Sequence, residues 1–371
     1  VVVREIGSPS HHIHWGMPFL FGLIETGKIE EARSVLAELR RAIEGTAIVC
    51  FEPLLMCAEA RIEELDGKLT RARKLVCGMW SMAQINDHGR YLAWMIPWIP
   101  RYAAWALEND VEVDYVRALA RHYRWTPPVA APESWPWAVK IYTLGRFEVL
   151  IDEQPIEFGR KTPKKPMALL KAIIALGGVN ASEARILDAL WPGEEGDAAA
   201  KILDITLHRL RRWLKHPETI RQTGGRLSLN GECCWVDSCA FERAGEADDG
   251  RLTGIFGWYR GEFLAGDPDA SWAVAMRERL RARFVRCVSE SGRMLEADVK
   301  FDEALALYLR GIDADPLVEP FYQGLMRCYQ GLGRVPEAIS TYRRLKQTLS
   351  ITLGVPPSAV SERLYRSLRP A

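Results

Sequence analysis

The sequence predicts a mainly α protein with a small β component, in which two helical-repeat segments flank a small domain of helices and strands. Three observations predict this fold class. Apolar residues recur at spacings of three and four over residues 17–125, as on one face of a helix. Residues 139–158 instead alternate between apolar and polar, as half-buried strands do. Beyond residue 251 a helical pattern returns and repeats after thirty-four residues.

Composition limits the function. The length of 371 residues predicts two or three domains, and 48% hydrophobic with 26% charged residues is typical of soluble globular protein. Because the formal net charge is only +1, the chain as a whole is not drawn to nucleic acid or membrane. Any basic function must therefore be local.

The sequence predicts a cytoplasmic protein. No uninterrupted apolar run reaches the ~20 residues that span a bilayer, so we expect no membrane association. The start, "VVVREIGSPSHH", has no initiator Met and no signal-peptide layout, which predicts a fragment or a processed chain. The eight scattered cysteines predict reduced thiols.

Residues 1–125 are predicted to form helical hairpins of the tetratricopeptide-like type. One predicted helix places four apolar residues on one face: Ile29, Ala32, Leu36 and Leu39. A three-residue pattern recurs forty positions later, as stacked hairpins require: Gly27, Ala32 and Leu36, then Gly67, Ala72 and Val76. Trp94, Trp98 and Trp105 fit a binding stripe or a helical core, and we predict the core. The Pro- and Ala-rich residues 126–138 are predicted to be a linker.

Residues 139–237 are predicted to form a winged helix. A small antiparallel sheet over residues 139–158 is followed by the helices "PKKPMALLKAIIALGG" and "NASEARILDALWPG", and by a third from Asp197 to His216. Two short strands around the turn "TGGR" close the domain as a hairpin. This order of elements places the third helix and the hairpin on one side. Asn180 or Ser182 is the expected N-cap of the second helix.

Residues 238–371 are predicted to contain two further tetratricopeptide-like hairpins, with helix expected from residue 251 onward. Five positions recur after thirty-four residues, which is the tetratricopeptide period. They are Gly292, Leu295, Phe301, Ala304 and Tyr308, which return as Met326, Tyr329, Val335, Ala338 and Tyr342.

Several of these blocks resemble a known family. "VKIYTLGRFEVLIDEQPIEF", "KKPMALLKAIIALGG", "ILDALWPG" and "LHRLRRWL" are similar to the OmpR-type winged helix, in the version found in Streptomyces antibiotic regulatory proteins. "WYRGEFLAGDPDASWAVAMRERLRARF" and the repeats after it resemble the bacterial transcriptional activator domain of those proteins. The resemblance covers residues 139–371, and residues 1–125 resemble the sensor segment of large MalT-like regulators. The resemblance over residues 139–371 implies a DNA-binding transcriptional activator.

The third helix of the winged helix carries the candidate DNA-binding residues. One of its faces is predicted to be buried through Leu203, Leu207, Leu210 and Leu214. The opposite face carries Lys201, Ile205, His208, Arg209 and Arg212, with Thr206 and Arg211 on its flanks. Residues 199–226, which include Arg221 and Arg226 of the hairpin, hold seven Lys or Arg and two acids, a net of +5.

This local charge predicts contacts with DNA phosphates. Arginine also suits the guanine edge in the major groove, and Thr206 or Ile205 suits a thymine methyl. A solvated helix with stray arginines is the alternative. Lys164 and Lys165 begin the first helix of the domain, where backbone amides would face a phosphate. A flexible charged loop at these lysines is an equal alternative.

No enzymatic activity, cofactor or metal site is predicted. "GLIETGK" at residues 22–28 matches a phosphate-binding loop, but Ile29 replaces the Ser or Thr that would hold magnesium. His11, His12 and His14 have no companion metal ligands, and a frayed terminus is expected there. The sequence shows no nucleophile motif and no paired carboxylates.

Three functions remain open from the sequence. The first is a sequence-specific DNA-binding activator whose repeats contact RNA polymerase or another protein, or form a homodimer. The second is a protein-interaction scaffold whose winged helix no longer reads DNA. The third is a regulator that its own repeats inhibit until a signal arrives. A steep loss of duplex affinity with added salt favours the first over the second. Comparing the DNA affinity of residues 139–237 with that of the whole chain separates the third.

Overall fold

The structure is a computed structural model that describes residues 9–44, 49–85, 92, 98–129, 131–156, 163–194, 196–244 and 257–368. The chain divides into two compact units, Val1–Pro136 and Trp137–Ala371. Helices predominate in both units, and all of the described strands lie in the second. This agrees with the fold class predicted from the sequence.

The first unit consists of helical hairpins. Its helices are α1 (Pro9–Glu25), α2 (Ile29–Ile43), α3 (Glu52–Leu65), α4 (Leu69–Ile85), α5 (Ile99–Glu108) and α6 (Val113–His122). The predicted apolar face of α2 is buried at Ala32, Leu36 and Leu39, and its counterpart in α4 is buried at Ala72 and Val76. The forty-residue repeat is confirmed.

The turns of the first two hairpins need glycine. Gly27 precedes α2 with φ +73°, and Gly67 precedes α4 with φ +76°. A side chain is strained in this left-handed region, which explains why glycine recurs forty residues apart. Gly27 therefore serves a helix–helix turn.

Two details of the first unit differ from expectation or extend it. The predicted frayed terminus is wrong, because α1 begins at Pro9 and includes His14. Trp98 is 6% exposed, as a core residue should be, whereas Trp105 is only half-buried and Trp94 lies outside the described residues.

In the predicted linker Trp135 is also buried, and Ser134 donates a hydrogen bond to the Leu107 carbonyl. The end of this unit is thus packed.

The second unit begins with two small sheets and three helices. The strands are β1 (Val139–Tyr142), β2 (Glu148–Ile151), β3 (Gln154–Pro155), β4 (Ala181–Ser182), β5 (Ile220–Thr223), β6 (Arg226–Leu229) and β7 (Cys234–Val236). The helices are α7 (Lys164–Ala175), α8 (Glu183–Leu190) and α9 (Gly196–Trp213). One sheet has the order β3-β2-β1-β7, and the other has the order β4-β6-β5. Ser182 occupies the N-cap position of α8 without a side-chain capping bond.

The strand β7 joins the first sheet in a way that the sequence did not predict. It pairs parallel with β1, with Val139 opposite Cys234 and Ile141 opposite Val236. The other neighbour of β1 is β2, which runs antiparallel to it. The chain therefore returns from the hairpin to the first strand and leaves the domain beside the β1–β2 turn.

The remaining helices are α10 (Asp237–Arg243), α11 (Val274–Ala297), α12 (Phe301–Ala314), α13 (Glu319–Gly331), α14 (Val335–Leu353) and α15 (Ala359–Ser367). Equivalent residues of the thirty-four-residue repeat are buried in equivalent places: Ala304 and Ala338, Tyr308 and Tyr342. The predicted repeat is confirmed.

The expectation of helix from residue 251 onward is wrong for residues 259–270. This stretch, "YRGEFLAGDPDA", forms bends and turns, and the long helix begins only at Val274. Glycine, proline and aspartate interrupt helices, and the sequence contains all three here. Residues 259–264 are instead bonded to the β1–β2 turn.

Candidate nucleic-acid interface

The helix α9 is fixed in the second unit by its leucines. Leu203, Leu207, Leu210 and Leu214 are each at most 1% exposed. They belong to a core that also includes Leu169, Leu170 and Ile173 of α7, against which α9 packs. Full burial of each leucine contributes about 1.5–3 kcal/mol, so this face is held firmly. The opposite face is therefore presented to solvent in a fixed orientation.

The outward face of α9 carries exposed cations. The residues exposed there are Lys201, Asp204, Ile205, His208, Arg209 and Arg212. Among the described residues, Lys201, Arg209 and Arg212 have no carboxylate within ion-pair distance. Asp204 was missed by the sequence prediction, although it shares this face. Ile205 is 45% exposed, so its apolar side chain is accessible on this face.

The two flanking residues of α9 are corrections to the predicted site. Thr206 is only 4% exposed, and its hydroxyl donates to the Ile202 carbonyl at 2.7 Å. It therefore has no surface with which to touch a thymine. The Arg211 guanidinium donates to the Ile220 carbonyl through Nε at 3.2 Å and a terminal nitrogen at 2.8 Å. Arg211 thus ties α9 to the first strand of the hairpin and is a positioning residue.

The hairpin β5–β6 contributes two exposed arginines that have partners within the protein. Arg221 forms an ion pair with Glu232 at 2.5 Å, and both side chains are more than half exposed. Such an exposed pair contributes little to stability, so Arg221 is readily released to another anion. Arg226 donates to the Asn180 carbonyl at 3.1 Å. This bond holds the β5–β6 hairpin against β4, which pairs with β6 through Ala181 and Leu227.

The first turn of α7 carries Lys164 and Lys165, and both are exposed. The turn contains no acidic residue, and Pro163 stands at the N-cap position. Unbonded amides at a helix N-terminus favour an anion. The placement agrees with a phosphate-facing helix start, and the flexible-loop alternative is not favoured because both lysines lie within the helix.

A buried carboxylate joins this domain to the repeats that follow. Asp237, at the start of α10, is 1% exposed and accepts hydrogen bonds from four donors. Both oxygens are within 2.8 Å of the Thr143 backbone nitrogen, and the Thr143 hydroxyl lies at 2.6 Å from Oδ1. The backbone nitrogens of Leu144 and Ser238 also donate, at 3.0 Å and 2.7 Å. Burial raises the pKa of Asp237 to about 6, against the opposing effect of these bonds.

The β1–β2 turn is bonded to residues 259–264. Leu264 donates its N–H to the Thr143 carbonyl at 2.8 Å, and Gly145 donates to the Glu262 carbonyl at 3.0 Å. A Cβ on Gly145 would lie 2.8 Å from the Arg260 backbone, so only glycine permits this approach. We call these contacts, together with Asp237, the seam.

Side chains reinforce the seam. Lys171 of α7 pairs with Asp267 at 2.6 Å, and Arg277 of α11 donates to the carbonyls of Phe263 and Asp267. A single apolar core runs from β1 through the seam to Leu349 of α14. The sheets and helices of residues 139–237 and the helices after them are therefore one packed body.

Part of the second unit matches a known protein family. Residues 244–369 match the sequence model of the family described as bacterial transcriptional activator domain. The solved structure of Mycobacterium tuberculosis EmbR in complex with low affinity phosphopeptide matches with 19% identity and a TM-score of 0.45. That match covers 63% of this chain and 66% of the EmbR chain, slightly less than two thirds. Curated proteins give no significant match.

Within the residues that the structure describes, no helix is long and apolar enough to cross a membrane. The family match begins at residue 244 and includes the segment from Trp258 onward that resembles the activator domain in sequence. Over residues 244–369 the chain is similar to a bacterial transcriptional activator domain.

Proposed function

We propose that this protein is a sequence-specific DNA-binding transcriptional activator. Residues 139–237 form the winged helix that reads DNA, and α9 enters the major groove. The repeats over residues 1–125 and 238–371 contact RNA polymerase or another protein, or a second copy of the chain. The match to the activator domain over residues 244–369 supports the regulatory role.

The observation that carries the proposal is the difference between Arg209 and Arg212 of α9 and the other arginines of this region. Arg211, Arg221 and Arg226 all have partners within the protein. Arg209 and Arg212 are exposed and have no carboxylate partner among the described residues. They project from a helix whose other face is buried, so the helix holds them on its exposed side before any ligand arrives. Together with Lys201 they group cations without carboxylate partners on one face of a helix in a nearly neutral chain, and such a group is suited to a polyanion.

The exposed side chains divide by chemistry into base contacts and phosphate contacts. Arg209 and Arg212 suit the two acceptors of guanine, Asp204 suits the amino group of cytosine, and Ile205 suits a thymine methyl. Lys201 and His208 lie on the same exposed face and complete the base-reading surface.

The phosphate contacts lie on either side of α9. Lys164 and Lys165 bring positive charge to the start of α7, where unbonded backbone amides also lie. Arg221 and Arg226 bring positive charge from the β5–β6 hairpin. Such contacts fix the position of a protein on the duplex without reading sequence.

Selection of bound sequences from random duplex DNA tests the proposal. Enrichment of one motif, with an affinity that falls steeply with added salt, is the expected result. Failure to enrich any duplex, in a protein shown to be folded, would favour the interaction scaffold. The whole second unit must be present in the experiment, because a chain that ended at residue 237 would lose the Ser238 N–H and residues 259–264 from the seam.

A further inference from the structure

A cavity of about 430 Å³ lies between α11 and α12, in the part of the second unit that follows the seam. Its lining is formed by Gly257, Tyr259, Phe284, Val288, Leu307, Gly311 and Ala314, and the exposed charged residues Arg260, Arg310 and Asp313 form its rim. A volume of this size accommodates a small organic molecule. The DNA-binding proposal uses none of these residues.

The lining of the cavity is rigid and aromatic on one side. Tyr259 stacks on Phe284 with ring centroids 4.0 Å apart and planes 10° apart. Phe284 and Val288 are at most 2% exposed and form the packed floor of the cavity, whereas Leu307 and Ala314 are half-buried and present apolar surface to it. Gly311 permits this packing, because a Cβ there would lie 2.9 Å from the Phe321 ring. The cavity therefore has a packed aromatic floor, and its accessible apolar surface comes from Leu307 and Ala314.

The rim of the cavity is cationic. Arg260 and Arg310 stand on it with one acid, Asp313, which leaves a net charge of +1. Arg260 is exposed, and its Nε donates to the Gly257 carbonyl at 3.2 Å, which anchors the guanidinium at the rim. Among the described residues Arg260 has no carboxylate partner within ion-pair distance. An anchored guanidinium above an apolar surface suits a ligand with one anionic group and an apolar body.

We propose that this cavity binds a small amphipathic anion, which is an aromatic or branched apolar body bearing one carboxylate, sulfonate or phosphate. Such a ligand would also reach the seam. Tyr259 and Arg260 lead directly into Gly261, and Gly145 packs against the backbone of residues 260–261. A ligand that holds Arg260 in place favours the conformation in which the seam bonds are formed. The inference needs no DNA and goes beyond the proposed DNA-binding function.

The test uses 8-anilinonaphthalene-1-sulfonate as the probe and N-phenyl-1-naphthylamine, which lacks the sulfonate, as its neutral counterpart. We expect the sulfonate to bind the full chain saturably, with one site per chain, and the neutral compound to bind at least about tenfold more weakly. Arg260→Gln should weaken sulfonate binding about tenfold. Arg286→Gln, an exposed arginine of α11 outside the cavity, is the matched control and should change nothing.

Two further measurements separate this site from general exposure of apolar surface. Ala314→Phe fills the cavity and should abolish binding while thermal unfolding still shows a cooperative transition. In hydrogen exchange, the probe should slow the amides of Gly145 and Leu264, which bond across the seam. Equal binding of the neutral compound, unchanged sulfonate binding in both cavity variants, or the absence of saturable binding would each overturn the proposal.

Discussion

Replacing Asp237 with Asn tests whether the seam holds the second unit together. In the native protein the Asp237 oxygens accept from the backbone nitrogens of Thr143, Leu144 and Ser238 and from the Thr143 hydroxyl. An asparagine keeps one acceptor oxygen and places an amino group where the other stood. The best orientation keeps Oδ1 and turns the amino group toward the Leu144 N–H, which leaves that buried donor without an acceptor. A buried donor left unsatisfied costs about 1–3 kcal/mol of the free energy of unfolding.

The same variant has a pH dependence of known sign. The pKa of Asp237 is about 6 in the folded protein, above the value of 3.8 for an unperturbed carboxyl. The folded state therefore binds the proton more tightly, and its extra stability is full below pH 4 and disappears as the pH rises through 6. Between pH 5 and pH 7.5 this group should lose about 1.4 kcal/mol of stability. Asparagine does not titrate, so the cost of Asp237→Asn should be larger at pH 5.

Equilibrium urea unfolding at pH 5 and pH 7.5 measures both effects. Unfolding is monitored by the fluorescence of Trp235 and Trp258, the tryptophans near the seam. Asp188→Asn is the control, because Asp188 is an exposed carboxylate of α8 and should change stability by less than about 0.5 kcal/mol. A cost of Asp237→Asn below that level at both pH values, or a larger cost at pH 7.5, would refute the account of the seam.

Three further variants test separate parts of the fold. Leu207→Ala removes a fully buried side chain of α9 and should lower the free energy of unfolding by about 2–5 kcal/mol in a urea titration; an unchanged midpoint would mean that the leucine face does not carry the helix. Arg211→Ala removes both hydrogen bonds to the Ile220 carbonyl. It should lower the free energy of unfolding by about 1–3 kcal/mol and speed amide exchange in β5. Exchange at the native rate would instead return Arg211 to the residues that contact DNA. Ala338→Leu overpacks the α13–α14 crossing and should cost about 1–3 kcal/mol in thermal unfolding while lowering activation in a reporter assay, and full retention of both would show that the crossing tolerates bulk.

The local pattern in the sequence was sufficient to predict most helices and the hairpin. The four leucines of α9 and the alternation in β1 and β2 appear directly in the burial of those elements. The forty-residue and thirty-four-residue repeats succeeded for the same reason, since each hairpin buries the same face in each copy. These features depend on residues a few positions apart.

Features that depend on distant contacts were missed or misjudged. A helical wheel places Thr206 and Arg211 at the two edges of the exposed face. It cannot show that Thr206 is buried or that Arg211 is hydrogen-bonded to the Ile220 carbonyl of the hairpin. The parallel pairing of β7 with β1 joins residues 95 positions apart, such as Val139 and Cys234. Asp237 and Thr143 are 94 residues apart, and no periodicity connects them. The seam could therefore be recognised only in the structure.

The role of the exposed face of α9 is tested most directly by the affinity of three variants for a duplex selected by the wild-type protein. The account predicts that Arg209→Ala and Arg212→Ala each lose about 1–3 kcal/mol of binding free energy, roughly fivefold to 150-fold in affinity, at fixed salt. Arg343→Ala, which removes an exposed arginine of α14 with no carboxylate partner among the described residues, is the matched control and should bind like the wild type. Affinity measured by fluorescence anisotropy at several salt concentrations gives both the loss and the salt slope. Wild-type affinity in both α9 variants, or an equal loss in Arg343→Ala, would contradict the claim that this face reads DNA.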